Sequence, residues 1–368
     1  AADADPPTAS PTQAPAANAD GWNNTDVTVT WNWTDPAGGS GIDPAACTTA
    51  STSSGQGAAI DVTATCADYA GNVGTASYTV KVDTTAPATT ITLTPTAPDG
   101  ANDWYVSTVT VGVSATDGLS SVAQTRCVLD PASVPTAFTD LPDTACSIGT
   151  VSADGQHHVY AASIDRAGNA GTPVVQAIDV DRTAPVLDPS LDPETVFVGQ
   201  TGVTASANAT DATSGVATES CGGIDTSTAG VHSVLCTATD YAGNTATKSL
   251  QYVVQYRILG FYSPIPGSKW LAGQTVPVKI ALGDANGVRI SDAEAAALAG
   301  GCRVTFSVTG AQSQSAQCLR YDAANDQFVF NWKVGKQPLG LATLTVAVSY
   351  PGSTMTTTLS DQITIAKK

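Results

Sequence analysis

Cys236-Thr-Ala-Thr-Asp240-Tyr-Ala-Gly243-Asn244 has two near-copies, Cys66-Ala-Asp68-Tyr-Ala-Gly71-Asn72 and Ile164-Asp165-Arg-Ala-Gly168-Asn169. A stretch that recurs at this length marks a repeated structural unit. Asp, Gly and Asn are the constant members, and together they are turn chemistry. Asp accepts backbone N–H groups, Gly takes a positive φ, and Asn closes the turn.

The residues upstream of each copy stay in register. Val27, Val29, Trp31 and Trp33 alternate and share one face of an expected strand running to Thr34. Val109, Val111, Val113 and Ala115 take their places in the second copy, and Val203, Ala205, Ala207 and Ala209 in the third. Trp22 precedes the first run as Trp104 precedes the second. Each run ends in Thr-Asp (Thr34-Asp35, Thr116-Asp117, Thr210-Asp211), followed by a Ser-rich turn and then Ile42, Val122 or Val216. Cys47 is expected on a short strand after that turn. Asp83-Thr-Thr-Ala-Pro87 and Asp181-Arg-Thr-Ala-Pro185 link the copies. Proline stiffens such a join and holds the preceding residue extended. Asp5-Pro-Pro-Thr8 is a weaker version in the Pro-rich leading segment.

The chain has 368 residues, a formal net charge of −17 and a pI near 4.2. An acidic balance argues against nucleic acid, which needs a basic face. Lys and Glu are scarce beside Ala, Thr, Ser, Gly and Val, a composition that favours strands joined by tight turns. Residues 1–254 hold 5 Lys+Arg against 26 Asp+Glu, or −21, and residues 255–368 hold 10 against 6, or +4. The last part therefore differs in character from the repeats, and its basic balance suits an anionic wall or membrane surface. No apolar run approaches the length of a membrane span. No leader pattern stands at residue 1, so the chain is expected to follow a leader or to lie within a longer protein.

Eight cysteines fall in four local pairs: Cys47/Cys66, Cys127/Cys146, Cys221/Cys236 and Cys302/Cys318. One pair per module is a disulfide pattern, since the tight Cys-x-x-Cys spacing of zinc sites is absent. Disulfides imply an oxidising compartment, hence export to the cell surface or beyond.

The repeats resemble the bacterial immunoglobulin-like modules found in tandem in secreted and surface proteins. The resemblance rests on the Asp-x-x-Ala-Pro linkers, the Thr-Asp plus Ser-Gly turns and the Asp-x-Ala-Gly-Asn turns. It implies an all-β fold of tandem β-sandwiches. Their bridges close far shorter loops than that of an antibody domain. Past residue 254 the pattern changes. Pro264-Ile-Pro266 leads to Val276-Pro277-Val278-Lys279-Ile280, and Phe330-Asn-Trp332-Lys333 follows. This segment resembles the PxKF domain of secreted, often actinobacterial, proteins, with Ile280 where that family has Phe. The resemblance implies no activity. Ser291 with Glu294 forms a capping box for the one expected helix, through Leu298. The chain thus divides into repeat 1 with its leading segment (1–83), repeat 2 (84–181), repeat 3 (182–254) and a distinct C-terminal β-sandwich domain (255–368).

No catalytic constellation is present. His157 and His158 precede the expected strand Val159–Ile164, and on a strand two adjacent residues point to opposite faces; neither they nor His232 has a recognisable nucleophile beside it. The repeated turn admits two readings. In the structural one, Asp68, Gly71 and Asn72, Asp165, Gly168 and Asn169, and Asp240, Gly243 and Asn244 simply close a hairpin. In the functional one, Asp68, Asp165 and Asp240 supply calcium ligands at module joins, with linker residues Asp83 and Asp181. Calcium takes six to eight oxygens. Trp31 and Trp33 stand where other copies have Val or Ala, and either fill a core or stack on a sugar. Asn23, Asn32 and Asn208 match the glycosylation pattern by chance. The expected function is a non-catalytic extracellular stalk, fibre or display component. Its partners would be the cell envelope, glycans or copies of itself. The alternative is an adhesin or a carbohydrate-binding accessory region, which exposed Trp31, Trp33 or Trp270 would favour.

Overall fold

The structure, a computed structural model, describes residues 2–265 and 269–368; Pro266 of the Pro264-Ile-Pro266 motif lies outside them. The chain divides into two compact units, Ala1–Thr183 and Ala184–Lys368. Both are built from packed, mainly antiparallel sheets. The protein is all-β, a set of tandem immunoglobulin-like sandwiches with a distinct C-terminal β-sandwich.

In the first unit, the strand Thr28–Thr30 lies between Thr12–Ala14 and Ala50–Thr52. The long hairpin Gly57–Ala67/Val73–Val82 forms the opposing layer. Val27, Val29 and Trp31 are fully buried between them, against Val62, Ala64, Val80 and Val82. The expected strand through Thr34 is broken, however. Asn32 takes φ 45°, and the chain resumes as Trp33–Thr34 paired with Thr8–Ala9. Asn tolerates this left-handed geometry better than most residues. Its amide donates to the Ser10 carbonyl and the Thr12 hydroxyl, which holds the kink. The asparagine that matches a glycosylation pattern is thus a structural hinge between strand pairs. Cys47 is also off-strand, because Asp43 and Pro44 start a 3₁₀ turn, Pro44–Ala46, that ends at the cysteine.

The next sandwich in this unit opposes Ala88–Thr94, Val109–Thr116 and Gly149–Val151 to Val122–Leu129, Gly155–Asp165 and Val174–Val180. Ser114 stands in the place of Asn32, and here the strand runs unbroken through Thr116. Trp22 and Trp104 close matching turns, accepting N–H bonds from Asn18 and Gly100. The residue after each, Asn23 or Tyr105, then bridges in parallel to the last strand, at Val82 or Val180.

In the second unit, Thr204–Ser206 and Ala209–Thr210 flank Asn208, again at positive φ (48°) and again donating to the neighbouring strand segment, here to the Asp188 carbonyl and the Ser190 hydroxyl. Val216–Cys221, Gly230–Asp240 and Thr245–Gln255 form a sheet that Val196–Phe197 joins in parallel. The C-terminal sandwich packs a four-stranded sheet on a five-stranded one. Val276, Val278 and Ile280 face its core, and Pro277 and Lys279 face away. Pro277 lies beyond the pairing of Arg257–Phe261, so its missing N–H leaves no ladder bond open on that side. Ile280 is fully buried, so an aliphatic side chain fills this core position. The helix is Asp292–Gly300, capped reciprocally by Ser291 and Glu294.

The structure joins Cys47 to Cys66, Cys127 to Cys146, Cys221 to Cys236 and Cys302 to Cys318. Only Cys221 and Cys236 face each other across paired strands. The other three bridges tie a strand to a loop. Closing loops of this length stabilises each module by about 3 kcal/mol in the chain-entropy model. Alkylating the unfolded, unreduced protein should add no mass, whereas reduction first should release eight thiols and lower every melting transition. Trp31→Ala should cost about 3 to 5 kcal/mol. Hydrogen exchange would show it as lost protection along Gly57–Ala67 with Thr275–Gly283 unchanged.

Candidate functional site

The repeated aspartate ends the penultimate strand of each repeat. Ile42, Val122 and Val216 pair with Asp68, Asp165 and Asp240 across the ladder, so the two sequence markers of each module meet. Each carboxylate turns back on its own loop. Asp68 accepts from the Asn72 N–H (2.9 Å) and amide (2.7 Å), and Asp240 from the same groups of Asn244 (2.8 and 2.9 Å). Asp165 also accepts from the Gly168 N–H at 2.7 Å. Gly71, Gly168 and Gly243 have φ between 90° and 97°, which a side chain would strain. All three aspartates are at least 97% buried.

The first unit adds what the turn motif does not contain. Carboxylate oxygens of Asp83, Asp117 and Asp165 lie within 4.8 Å of one another, and so do those of Asp3, Asp35 and Asp68. Asp83 belongs to the linker. Its own N–H donates to the Asn23 carbonyl of the preceding module. Its side chain, wholly buried, accepts from the Ser120 N–H of the next module at 2.9 Å, and its carbonyl from the Asn169 amide at 2.8 Å. Asp117 accepts from Ser121 at 2.7 Å. Asp3 repeats the arrangement with Ser40 (2.6 Å) and Asn72 (3.2 Å). The Ser40 N–H, with that of Asp5, holds the Asp3 carboxyl below its usual range. The leading segment therefore copies the linker in the register Asp3…Pro7, matching Asp83…Pro87, and not from Asp5. Pro7 and Pro87 are both buried. A side chain at Gly171 would come within 3.2 Å of the Pro87 carbonyl, which explains a small residue there.

Sequence reasoning singles out Asp68, Asp165, Asp240 and Asp83 but passes over Asp3, Asp35 and Asp117 as companions. The signal for Asp35 and Asp117 was the Thr-Asp that ends each early strand, which doubles as ordinary turn punctuation; Asp3 has no such mark. In the second unit Asp211, the equivalent of Asp117, accepts from the Gly215 N–H at 2.7 Å.

Three carboxylates at this spacing repel. Two unit charges 4 Å apart at an effective dielectric near 20 cost about 4 kcal/mol. The N–H donors offset part of this and bring no net charge. None of the described ion pairs involves these aspartates. Asp35 Oδ1 is buried without a hydrogen-bond partner. An all-oxygen donor set of this charge suits a hard divalent cation better than a transition metal.

The remaining candidates resolve into structure. Trp31 is buried and donates to Ser51 at 3.0 Å; Trp33 is half-buried, stacks on Trp31 at 6.4 Å and donates to the Thr48 carbonyl. Trp270 is half-buried against the C-terminal core. His232 bonds the Thr228 carbonyl and stacks on Tyr252. His157 bonds Asp130 at 2.7 Å and the Ala153 carbonyl at 2.9 Å, while His158 points away to solvent.

No family model matches the chain, and no curated protein matches it. Among solved structures it is similar to a tetra-tandem repeat in the extending region of a large adhesion protein, at 15% identity. That match covers 98% of this chain and 100% of the other, with a TM-score of 0.29. It is similar at 11% identity to the protocadherin GammaB4 extracellular domain, over 98% of this chain and 67% of that one (TM-score 0.30). Fibronectin(III)-like modules of Clostridium thermocellum CbhA match at 16%, over 47% of this chain and 94% of theirs (TM-score 0.23). At these scores the likenesses decide nothing about this chain, whose own sheets, bridges and carboxylates carry the conclusions. Four disulfides fit an extracellular module. No helix is long and apolar enough to cross a membrane among the described residues.

The His157–Asp130 pair gives a pH signature. Partial burial alone would lower the His157 pKa, but the Asp130 and Ala153 bonds outweigh it and raise it above 6.5. Partial burial alone would raise the Asp130 carboxyl, but the His157 and His158 donors outweigh it and hold it below 3.8. The raised histidine stabilises fully below 6.5 and loses this as pH rises through its folded value. The lowered aspartate stabilises fully above 3.8 and loses this as pH falls through its own. The pair thus contributes most between those two limits. In an NMR titration His157 should have its midpoint above 6.5, and Asp130→Asn should bring it down.

Proposed function

We propose that the chain is a non-catalytic extracellular stalk, fibre or display component whose module joins are fixed by calcium. The observation that carries this is Asp83. One buried linker residue is tied through its backbone to the module before it and through its carboxylate to the module after it, beside Asp117 and Asp165. A cation held there would lock the join and cancel the mutual repulsion of the three carboxylates. Asp3, Asp35 and Asp68 would hold another ion, and Asp240 with Asp211 would serve the third repeat. The linker aspartate Asp181 takes Asp83's place in the sequence. The acidic balance of residues 1–254 supports cation uptake and keeps the surface soluble. We also read residues 255–368 as a PxKF-like terminal domain. Its basic balance fits an attachment role towards the cell envelope.

The adhesin or carbohydrate-binding alternative calls for a row of exposed aromatics. The buried Trp31 and the half-buried Trp33 and Trp270 give it less support than the stalk.

Millimolar calcium should raise the melting temperature of chelator-treated protein, and Asp165→Asn with Asp83→Asn should remove the share of the rise that belongs to this join. A melting temperature indifferent to chelator and calcium would refute the calcium lock.

A further inference from the structure

A cleft lies in the second sandwich, away from the carboxylate clusters. It has a volume of about 500 Å³ and lies between two strands, Ala88–Thr94 and Val174–Val180. Each is the outer strand of its sheet, with a ladder on one side only. Both therefore present unpaired backbone N–H and C=O groups to the cleft, the usual template for an added strand. In the third repeat Val196–Phe197 fills the equivalent place beside the last strand. Here a single bridge, Tyr105 to Val180, does so.

The lining has a definite chemistry. Ile91, Leu93 and Pro98 give an apolar wall, with Asp103 and Asp179 beside it. Neither aspartate takes part in any ion pair among the described residues. Tyr105 is 96% buried and lines the cleft between them. Asn102 and Asp103 both sit at positive φ (50° and 64°), a costly geometry for consecutive non-glycine residues. Two carboxylates without a cationic partner, set beside two unpaired strand edges, point to an extended ligand that donates hydrogen bonds and carries positive charge.

We propose that this cleft binds an extended basic peptide segment of a partner protein. The peptide backbone would pair with the free edge of Val174–Val180. A Lys or Arg side chain would lay its stem on Ile91 and Leu93 and bring its charge to Asp103, Asp179 and the Tyr105 hydroxyl.

The test uses the full chain, amide-labelled and followed by NMR. The probe is a blocked pentapeptide, Thr-Val-Lys-Val-Thr, compared with the same peptide carrying norleucine and with n-butylammonium alone. The expected result is shifts confined to strands 88–94 and 174–180 and the loop before Tyr105. Asp103→Asn, Asp179→Asn and the norleucine peptide should each weaken binding about tenfold, the loss of one charge-assisted contact. The spectra themselves report whether each variant is folded. No shifts with millimolar lysine peptide, or shifts insensitive to all three changes, would overturn the proposal. Equal binding by n-butylammonium would overturn the peptide assignment and leave a small-amine site.

Discussion

A buried carboxylate at the end of a β-strand is a costly group, and three repeats of this protein are arranged around keeping one satisfied. Asp68, Asp165 and Asp240 each accept from the N–H and the amide of the asparagine four residues on. That closure requires the positive φ of the intervening glycine. It also fixes where the final strand begins, and so the register of the longest hairpin in each module. The same residue pairs with the start of the strand after the Ser-rich turn. Strand order and the disulfide loop both follow from it, since that strand or its loop carries the first cysteine of the pair.

The linker uses the same centre. Asp83 ends the last strand of one module and gives its side chain to the next, where Asn169 returns a bond to its carbonyl. A join built this way is specified by hydrogen bonds to buried groups, which tolerate less slippage than a polar tether. The leading segment repeats the geometry through Asp3, with Pro7 buried as Pro87 is. Carboxylates then gather in twos and threes at the ends of the modules. Their repulsion is the open quantity in the energetics of this protein, and a cation is the simplest means of removing it.

The second sandwich departs from its neighbours for a traceable reason. Where the first and third repeats have Asn32 and Asn208, it has Ser114. The kink does not form, and the first strand stays in one sheet. Beside its last strand lie Tyr105 and a loop with Asn102 and Asp103 at positive φ, and a cleft opens there.

Much of this was legible in the sequence. Alternating Val and Trp, Thr-Asp stops, Asp-x-Ala-Gly-Asn turns and Ala-Pro linkers are local signals, set by backbone sterics and side-chain to backbone bonding within a few residues. They gave the repeats, the strand faces and the capped helix. The kink at Asn32, the turn before Cys47 and the true register of the leading segment were less accessible, because each depends on a neighbouring strand that is distant in sequence. The gathering of Asp3, Asp35 and Asp68, and of Asp83, Asp117 and Asp165, was decided only by the tertiary structure. Each aspartate reads alone as turn chemistry, and only packing brings two strand ends and a linker to one point.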